Sequence, residues 1–405
     1  MRVVITSLPG HGHLGPLIPL AVAIRDAGHD VAFATSATFG KLLEEHGLPL
    51  EPCGPLWREA DFGRNFQQPQ LLGDLAKFLD TEVTSRVLND IDASVTRARP
   101  DLILSNDFEP NGRVIAERAG IPFVLASSGP RMPRAFRERL QGNILAASRR
   151  AGGLGEKGAL DYTLRWLHLH FSPVDHALET AAEGAAVEAR NEFGVRPAVA
   201  EFGAPFEPRG GMSGDTSRPA ALCTFGTVFN KDPEILRTVI NAVAPRVRRL
   251  FVLLGPGIDA ESLGALPVGV ELHSDVALST MLPHVDYVVT HGGTASLAAI
   301  QLHAKPCLLL PLGADQIING AACQRRRLGV VRFHTIAAVM VGAQPIMPMT
   351  QDSVGEAFDE LTADEGYVAR AADFKRTLHA MPPMQSAVPL LERLAVTRAP
   401  VLRQP

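Results

Sequence analysis

The chain has 405 residues, 46% hydrophobic and 20% charged, close to the roughly 45–50% and about 25% of ordinary globular proteins, so neither a disordered chain nor a membrane protein is indicated. At about 100–200 residues per domain, this length predicts two domains, each able to bury its own core. The 39 basic and 43 acidic residues leave a formal net charge of -4 and no basic block of the kind that holds nucleic acid; the run Gln324-Arg325-Arg326-Arg327 reads as a solvated helix face.

In chain order, Met1-Arg-Val-Val-Ile-Thr-Ser7 enters a strand-like segment without an apolar leader or cleavage site. No stretch of about 18 uncharged apolar residues follows, so a cytoplasmic protein with no membrane partner is expected. Apolar runs at 3–7, 30–35, 102–105 and 123–126 alternate with helical periodicity over 17–27 and 112–119, which predicts a parallel sheet with crossover helices. A second series starts at 221–224 and continues at 250–254, 285–290 and 307–311. Between the two lies 207–219, dense in Gly, Pro and Ser and read as a linker. The expected division is therefore 1–206, the linker 207–219, a second domain over 220–380, and a terminal helix within 381–405. The fold class is α/β, two Rossmann-like parallel-sheet domains facing an interdomain cleft, because ligands bind beyond the carboxyl ends of parallel strands. Cys53, Cys223, Cys307 and Cys323 are widely spaced among apolar neighbours and read as reduced core thiols.

Two irregular regions, 57–78 and 132–172, mix aromatic and apolar residues with charges; Trp57, Phe62 and Met132 in them are candidates for an apolar acceptor pocket, although extra packing helices fit the same composition. After the first strand comes Pro9-Gly10-His11-Gly12-His13-Leu-Gly15-Pro16, leading into a helix with apolar spacing at Leu17, Leu20, Ala21 and Ile24. A histidine in such a glycine-lined loop can take the proton of an attacking hydroxyl, a contribution of roughly 10²–10⁴ in rate, or can simply cap the helix.

The most informative segment is Met281-Leu-Pro-His-Val-Asp-Tyr-Val-Val-Thr-His291-Gly292-Gly293-Thr294-Ala-Ser296. A buried strand ends at Thr290, two glycines permit a tight turn, and a helix starts near Thr294, so free amides and the positive helix end face a place suited to phosphate oxygens, with His291 as an added donor. Asp315 and Gln316 follow another strand end, where a carboxylate and an amide can hold sugar hydroxyls or cap a helix. Gly226 and Thr227 stand at the end of the first strand of this half, suited to a backbone approach to phosphate. Two possible metal sets are set aside. Asp90-Ile-Asp92 lies in a helix-like stretch of the first half, and His168-Leu-His170 with Asp175 and His176, read as helical, would point its i, i+2 pair to different faces.

Thr224-Phe-Gly-Thr227, Leu282-Pro-His-Val-Asp-Tyr-Val-Val-Thr-His-Gly-Gly293 and Leu309-Leu-Pro-Leu-Gly-Ala-Asp-Gln316, in that order, resemble the donor half of the UDP-glycosyltransferase superfamily, particularly its bacterial natural-product branch. Gly12-His-Leu-Gly-Pro16, Leu20-Ala21 and Gly28-His-Asp-Val31 resemble its amino-terminal signature, so the likeness covers nearly the whole chain. The resemblance implies the two-domain GT-B fold and inverting transfer of a sugar from a nucleotide-sugar donor to a small apolar aglycone, with no metal and no cofactor beyond the co-substrate. By it, Val276 frames the base, Gly226, Thr227, His291, Gly292, Gly293, Thr294 and Ser296 hold the diphosphate, and Asp315 and Gln316 hold the sugar. His13 matches the general base, with His11 as competitor and both His11 and Gly12 beside the acceptor. Asn106 falls where the family has the acidic residue that orients that base, and Asp107 comes one residue late; a loop shift that presents Asp107 is the preferred expectation. The segment 381–395 resembles the family's last helix, which crosses back to the first domain.

The chain departs from the family pattern at several positions. Ala295-Ser296 replaces Gly-Thr, Ala299 stands where a Glu binds the ribose hydroxyls, Asp275 and Ala277 replace an aromatic and a proline near the base, and Ala304 replaces the glycine before Pro306. Loss of the ribose carboxylate favours a dTDP-deoxysugar over a UDP-sugar. The competing functions are a sugar-nucleotide 2-epimerase, which the Gly-His-Gly-His loop argues against, and a catalytically silent nucleotide-binding partner of another transferase, which Asn106 keeps open. A homodimer is compatible with the chain, and nothing in the sequence selects it.

Overall fold

The computed structural model describes residues 1–57, 81–155, 159–180, 184–185, 190–200, 202–208, 217–228, 232–334, 336–345 and 348–403. They fall into two compact units. Of the described residues, unit 1 takes those up to Ala200 and again from Ala380 onward, and unit 2 takes those from Phe202 to His379. Most of the stretch read as a linker lies outside the described residues, as does Phe62.

Unit 1 is built on strands β1 (Arg2–Thr6), β2 (Asp30–Thr35), β3 (Leu50–Pro52), β4 (Leu102–Asn106), β5 (Phe123–Ser127) and β6 (Leu167–His170). A short antiparallel pair, β7 (Glu179–Thr180) and β8 (Gly184–Ala185), precedes β9 (Glu192–Gly194). Among the described residues the main sheet has seven strands in the order β3-β2-β1-β4-β5-β6-β9, every neighbour parallel. Parallel strands need crossovers, and the helices Ile18–Asp26 and Asn111–Ala119 supply them after β1 and β4. Val3, Val4 and Ile5 are all buried, as a strand covered on both faces requires. The helix Asn111–Ala119 ends at Gly120, whose φ of 62° is the left-handed stop that glycine adopts without strain.

Unit 2 repeats the plan with β10 (Ala220–Thr224), β11 (Arg249–Leu253), β12 (Val270–His273), β13 (Tyr287–Thr290), β14 (Cys307–Leu309) and β15 (Gly329–Val331). Its described strands form a parallel six-stranded sheet ordered β12-β11-β10-β13-β14-β15. Val239, Val243, Leu250, Val252, Val289, Leu308, Val354, Phe358 and Leu361 form its core, between the sheet and the helices Pro233–Val243 and Gln351–Ala363. Both helices begin on side-chain caps, Asp232 for the first and a Thr350/Ser353 capping box for the second.

The expected alternation of strands and helices is present in both halves. The four cysteines are free and buried. The basic run at 324–327 closes the helix Asp315–Arg325, with Gln324, Arg325 and Arg327 exposed. No helix among the described residues is long and apolar enough to cross a membrane.

The residues from Ala380 onward complete unit 1. The helix Val388–Thr397 places Glu392 Oε1 2.8 Å from His29 Nε2, and Arg196 donates its main-chain N–H to the Pro382 carbonyl at 2.7 Å. Close packing also governs the start of the helix Asn111–Ala119. A Cβ added at Gly112 would lie 2.0 Å from Thr6 Oγ1 and 2.8 Å from Ser105 Oγ. Gly112→Ala is therefore expected to lower the stability of unit 1 by about 1–3 kcal/mol, the usual range for overpacking. Urea unfolding followed by tryptophan fluorescence measures this, since Trp57 and Trp166 both lie in unit 1; an unchanged midpoint would show that the helix can move away from the strand ends.

Candidate active site

In each sheet the strand order reverses at one place, between β1 and β4 in unit 1 and between β10 and β13 in unit 2. Chains leaving such neighbours diverge to opposite faces and open a crevice at the carboxyl ends. His13, Asn106, Gly226 and His291 lie at the ends of these four strands or in the turns that follow them.

In unit 1 the turn after β1 forms one helical turn, His11–Leu14, capped by extended Gly10. His13 is half-buried, with the edge of its ring toward Phe108 at a centroid distance of 6.4 Å. Its Nδ1 lies 3.4 Å from Asn106 Nδ2, the amide at the end of β4. His11 instead sets its ring against Phe39, with centroids 5.3 Å apart, and Gly12 is exposed beside it. Trp57 donates its main-chain N–H to Ser36 Oγ at 3.2 Å, and Met132 is half-buried between buried Arg131 and Pro133.

The preference for Asp107 is corrected by this geometry. The loop does not shift, and Asp107 is buried with its Oδ1 accepting from Ser127 Oγ at 2.8 Å and from the Arg137 guanidinium. Burial alone would raise its pKa, but Arg137, with His168 and the Ser127 hydroxyl, holds the carboxyl below its ordinary range. It anchors the helix Arg134–Ala151 to the sheet and is not the partner of His13. Glu109, which sequence reasoning passed over, does the corresponding work on the other side. Its Oε2 accepts from Thr6 Oγ1 at 2.6 Å and from the Gly112 N–H at 2.8 Å, and its Oε1 accepts from the Asn111 N–H at 2.8 Å. That buried carboxylate caps the helix Asn111–Ala119 and ties the ends of β1 and β4 together. Its only sequence signal is a Glu just ahead of a helix start.

His168 and His170 also need correction, because they lie on strand β6 and not on a helix. The period of two puts both rings on one face, with centroids 3.8 Å apart. With Glu192 on β9 they bring potential ligand atoms within 4.8 Å of one another, while Asp175 is exposed and lies outside that group. Arg131 Nη1 donates to Glu192 Oε2 at 3.2 Å, and Ser127 Oγ links His168 Nε2 (2.6 Å) to Asp107. The two carboxylates of this network already face Arg131 and Arg137, so the cluster reads as a charge-balanced polar core. Asp90 and Asp92 stay within the helix Thr81–Ala98, where Asp90 accepts from the Gly54 N–H at 2.8 Å and Asp92 faces Arg118 at 3.7 Å.

In unit 2 the imidazole of His291 is clasped between two glycines. A Cβ at Gly226 would meet its Cε1 at 2.7 Å, and one at Gly293 would meet its Nε2 at 2.6 Å. Gly226 and Gly292 also have φ of 68° and 84°, which side chains disfavour. Burial pushes the His291 pKa down to about 4, against the opposing pull of Asp315 and a hydrogen bond to the Thr224 main chain. The ring is thus neutral at pH 7. The helix Thr294–Leu302 starts at the predicted residue, with half-buried Ser296 in its first turn. Asp315 Oδ2 accepts from the Thr294 N–H at 3.0 Å and from Thr294 Oγ1 at 2.6 Å. Asn319, not singled out from the sequence, sits one turn further along the helix Asp315–Arg325 and donates to the Gly292 carbonyl at 2.8 Å. Gln316 is 1% exposed and accepts from the Leu312 N–H at 2.9 Å, so in this structure it supports the turn and does not face outward. Thr227 lies in the turn after β10. Val276 sits where Ala204 pairs with the chain, the Ala204 N–H donating to the Asp275 carbonyl at 2.7 Å.

Burial, then the neighbouring His170, pushes the pKa of His168 down to about 3. An unfolded histidine titrates near 6.5, so between these values the unfolded chain binds the extra proton; the contribution is whole above about pH 6.5 and is lost as pH falls toward about 3. One such group removes about 2 kcal/mol by pH 5. The urea midpoint of unit 1 is expected to fall between pH 7 and pH 5, and His168→Gln to flatten that fall. A variant with the same pH dependence as the parent would exclude His168 as its source.

No family model matches the chain. Over 346 residues it is 29% identical to the elloramycin glycosyltransferase ElmGT of Streptomyces olivaceus, covering 82% of this chain and 85% of that one. It is 27% identical to the TDP-daunosamine transferase DnrS of Streptomyces peucetius, covering 99% and 98%. Among solved structures, the spinosyn rhamnosyltransferase SpnG complexed with thymidine diphosphate superimposes with a TM-score of 0.70 at 21% identity, covering 97% of this chain and all of that one (100%). Other structural neighbours are likewise glycosyltransferases. The chain is a GT-B protein whose relatives, in sequence and in fold, are bacterial natural-product glycosyltransferases.

Proposed function

We propose that this protein is an inverting glycosyltransferase that moves a deoxysugar from a dTDP-sugar to a hydroxyl of a small apolar aglycone. The observation that carries the reading is the His291 turn. A neutral buried imidazole held between Gly226 and Gly293 stands beside the first turn of the helix Thr294–Leu302, at the strand-order reversal of unit 2. Amides at that helix start, with the positive end of its dipole, suit the two phosphates of a leaving nucleotide and supply the charge stabilisation that a metal gives elsewhere. His13 meets the acceptor oxygen and assists its attack. The acceptor oxygen attacks the anomeric carbon opposite the departing diphosphate, which inverts the configuration in one step.

Two features support a thymidine nucleotide. Ala299 is buried in the body of the helix Thr294–Leu302 and offers no carboxylate to a 2′-hydroxyl. In addition, a sequence relative is named for a TDP-sugar and a structural neighbour was solved with thymidine diphosphate. Ligand at about 100 times its Kd adds about 2.7 kcal/mol to the unit that binds it, several degrees in Tm. dTDP is expected to give that shift and UDP a smaller one; a shift with UDP and none with dTDP would reverse the donor assignment.

Asn106 beside His13 sustains one other reading, a nucleotide-binding partner that catalyses nothing itself. His13→Ala separates the two. Loss of transfer by roughly 10²–10⁴ with an unchanged dTDP shift is expected of the enzyme, whereas an absence of transfer in the parent protein across dTDP- and UDP-sugars would favour the partner.

A further inference from the structure

The carboxamide of Asn106 can sit only one way round. Its Oδ1 accepts the main-chain N–H of Phe108 at 3.2 Å and of Glu109 at 3.1 Å. A flipped amide would set donor against donor at both contacts. Nδ2 is therefore the atom that meets His13 Nδ1, at 3.4 Å. An amide NH2 donates and cannot accept, so Nδ1 must offer its lone pair, and a neutral imidazole then carries its single proton on Nε2. A carboxylate at position 106 would impose the opposite state, accepting Nδ1–H and leaving Nε2 free to take a proton.

The two carboxylates that follow Asn106 along the chain are engaged elsewhere. Asp107 is turned to Ser127 and Arg137, and Glu109 is taken up by Thr6, Ser105 and the amides of Asn111 and Gly112. Their hydrogen bonds fix the loop that holds Asn106.

We infer that His13 rests with its proton on Nε2, and that this protein consequently takes acceptors whose hydroxyl ionises readily, a phenol or enol, in preference to an aliphatic alcohol. The inference rests on the transfer reading and sharpens its acceptor class. An aliphatic hydroxyl, nearly as weak an acid as water at about 15.7, must give its proton to a base during attack. His13 can serve only after moving its own proton to Nδ1, against the Asn106 amide. A phenol, near 10 like tyrosine, can lose its proton to solvent beforehand and bind as the phenolate, with His13 Nε2–H donating to the oxygen. The balance is then complete. The phenolate pair forms the new C–O bond, the bond from the anomeric carbon to the phosphate oxygen breaks with its electrons leaving on the diphosphate, and no proton moves in that step.

The test uses the full chain with 15N-labelled imidazoles, the His13 signals being assigned by their loss in His13→Gln. Long-range 1H–15N spectra are expected to show an Nε2–H tautomer at His13, and an Nδ1–H tautomer in Asn106→Asp. An Nδ1–H tautomer in the parent protein overturns the inference. For the acceptor class, turnover of 2-naphthol is compared with that of its hydroxymethyl analogue on a dTDP-sugar. Asn106→Asp is expected to raise the alcohol relative to the phenol at least tenfold. An equal change in both, or a parent protein that already prefers the alcohol, overturns the acceptor preference. No transfer from any donor to either acceptor refutes the glycosyltransferase reading itself, while the spectra still decide the tautomer.

Discussion

Everything the two units offer chemically depends on parallel pairing around a central strand. β1 takes partners on both edges, Arg2 opposite Asp30 on one side and Val3 opposite Leu102 on the other; β10 is set in the same way, Ala220 opposite Arg249 and Ala221 opposite Tyr287. With every neighbour running the same direction, all strand ends of one kind gather at one edge of the sheet. The two chains that leave on either side of the reversal must part. In unit 1 those chains carry His13 and Asn106, and in unit 2 they carry Gly226 and His291. One rule of sheet geometry therefore brings His13 to Asn106 in one unit and His291 to Gly226 in the other.

What differs between them is how charge is handled. The carboxylates that follow Asn106 along the chain are drawn inward, Asp107 toward Arg137 and Glu109 into the cap of a helix. Each is fully employed in holding secondary structure together, and Asn106 faces the imidazole with an uncharged amide. In unit 2 the buried ring is kept neutral by its surroundings, beside the N–H groups that open the helix Thr294–Leu302. The His291 ring thus acts, in its resting state, as an oriented dipole.

The central strands and both glycine-containing loops were legible because a strand covered on two faces must read as an apolar run, and because a tight approach to a ring or backbone admits only glycine. The beginning of the helix at Thr294 was legible for the same reason. The edge strands were not. β3, β9 and β15 have three residues each, too few to show a period, and β6, buried on both faces, breaks its apolar run with His168 and His170. Reading that run as helical also hid the pairing of the two rings. The choice between Asn106 and Asp107 turned on one residue of register at the end of β4, which matching cannot settle but a strand end followed by a fixed turn does. Glu109 and Asn319 were invisible for a related reason. Both bond main-chain groups, the amides of Asn111 and Gly112 for the first and the Gly292 carbonyl for the second, and main-chain groups leave no trace in residue identity.

The return of the last segment to unit 1 has a bearing on how the protein is made. Arg403 donates its main-chain N–H to the Arg190 carbonyl at 2.8 Å, and Val401 does the same to Trp166 at 3.0 Å, so the opening half of the polypeptide is finished by its closing residues. On the ribosome, unit 2 emerges whole while unit 1 still lacks its last piece, which reverses the usual N-terminal-first sequence of domain completion. Nascent unit 1 must wait with the surface under the helix Val388–Thr397 uncovered until those residues have been made.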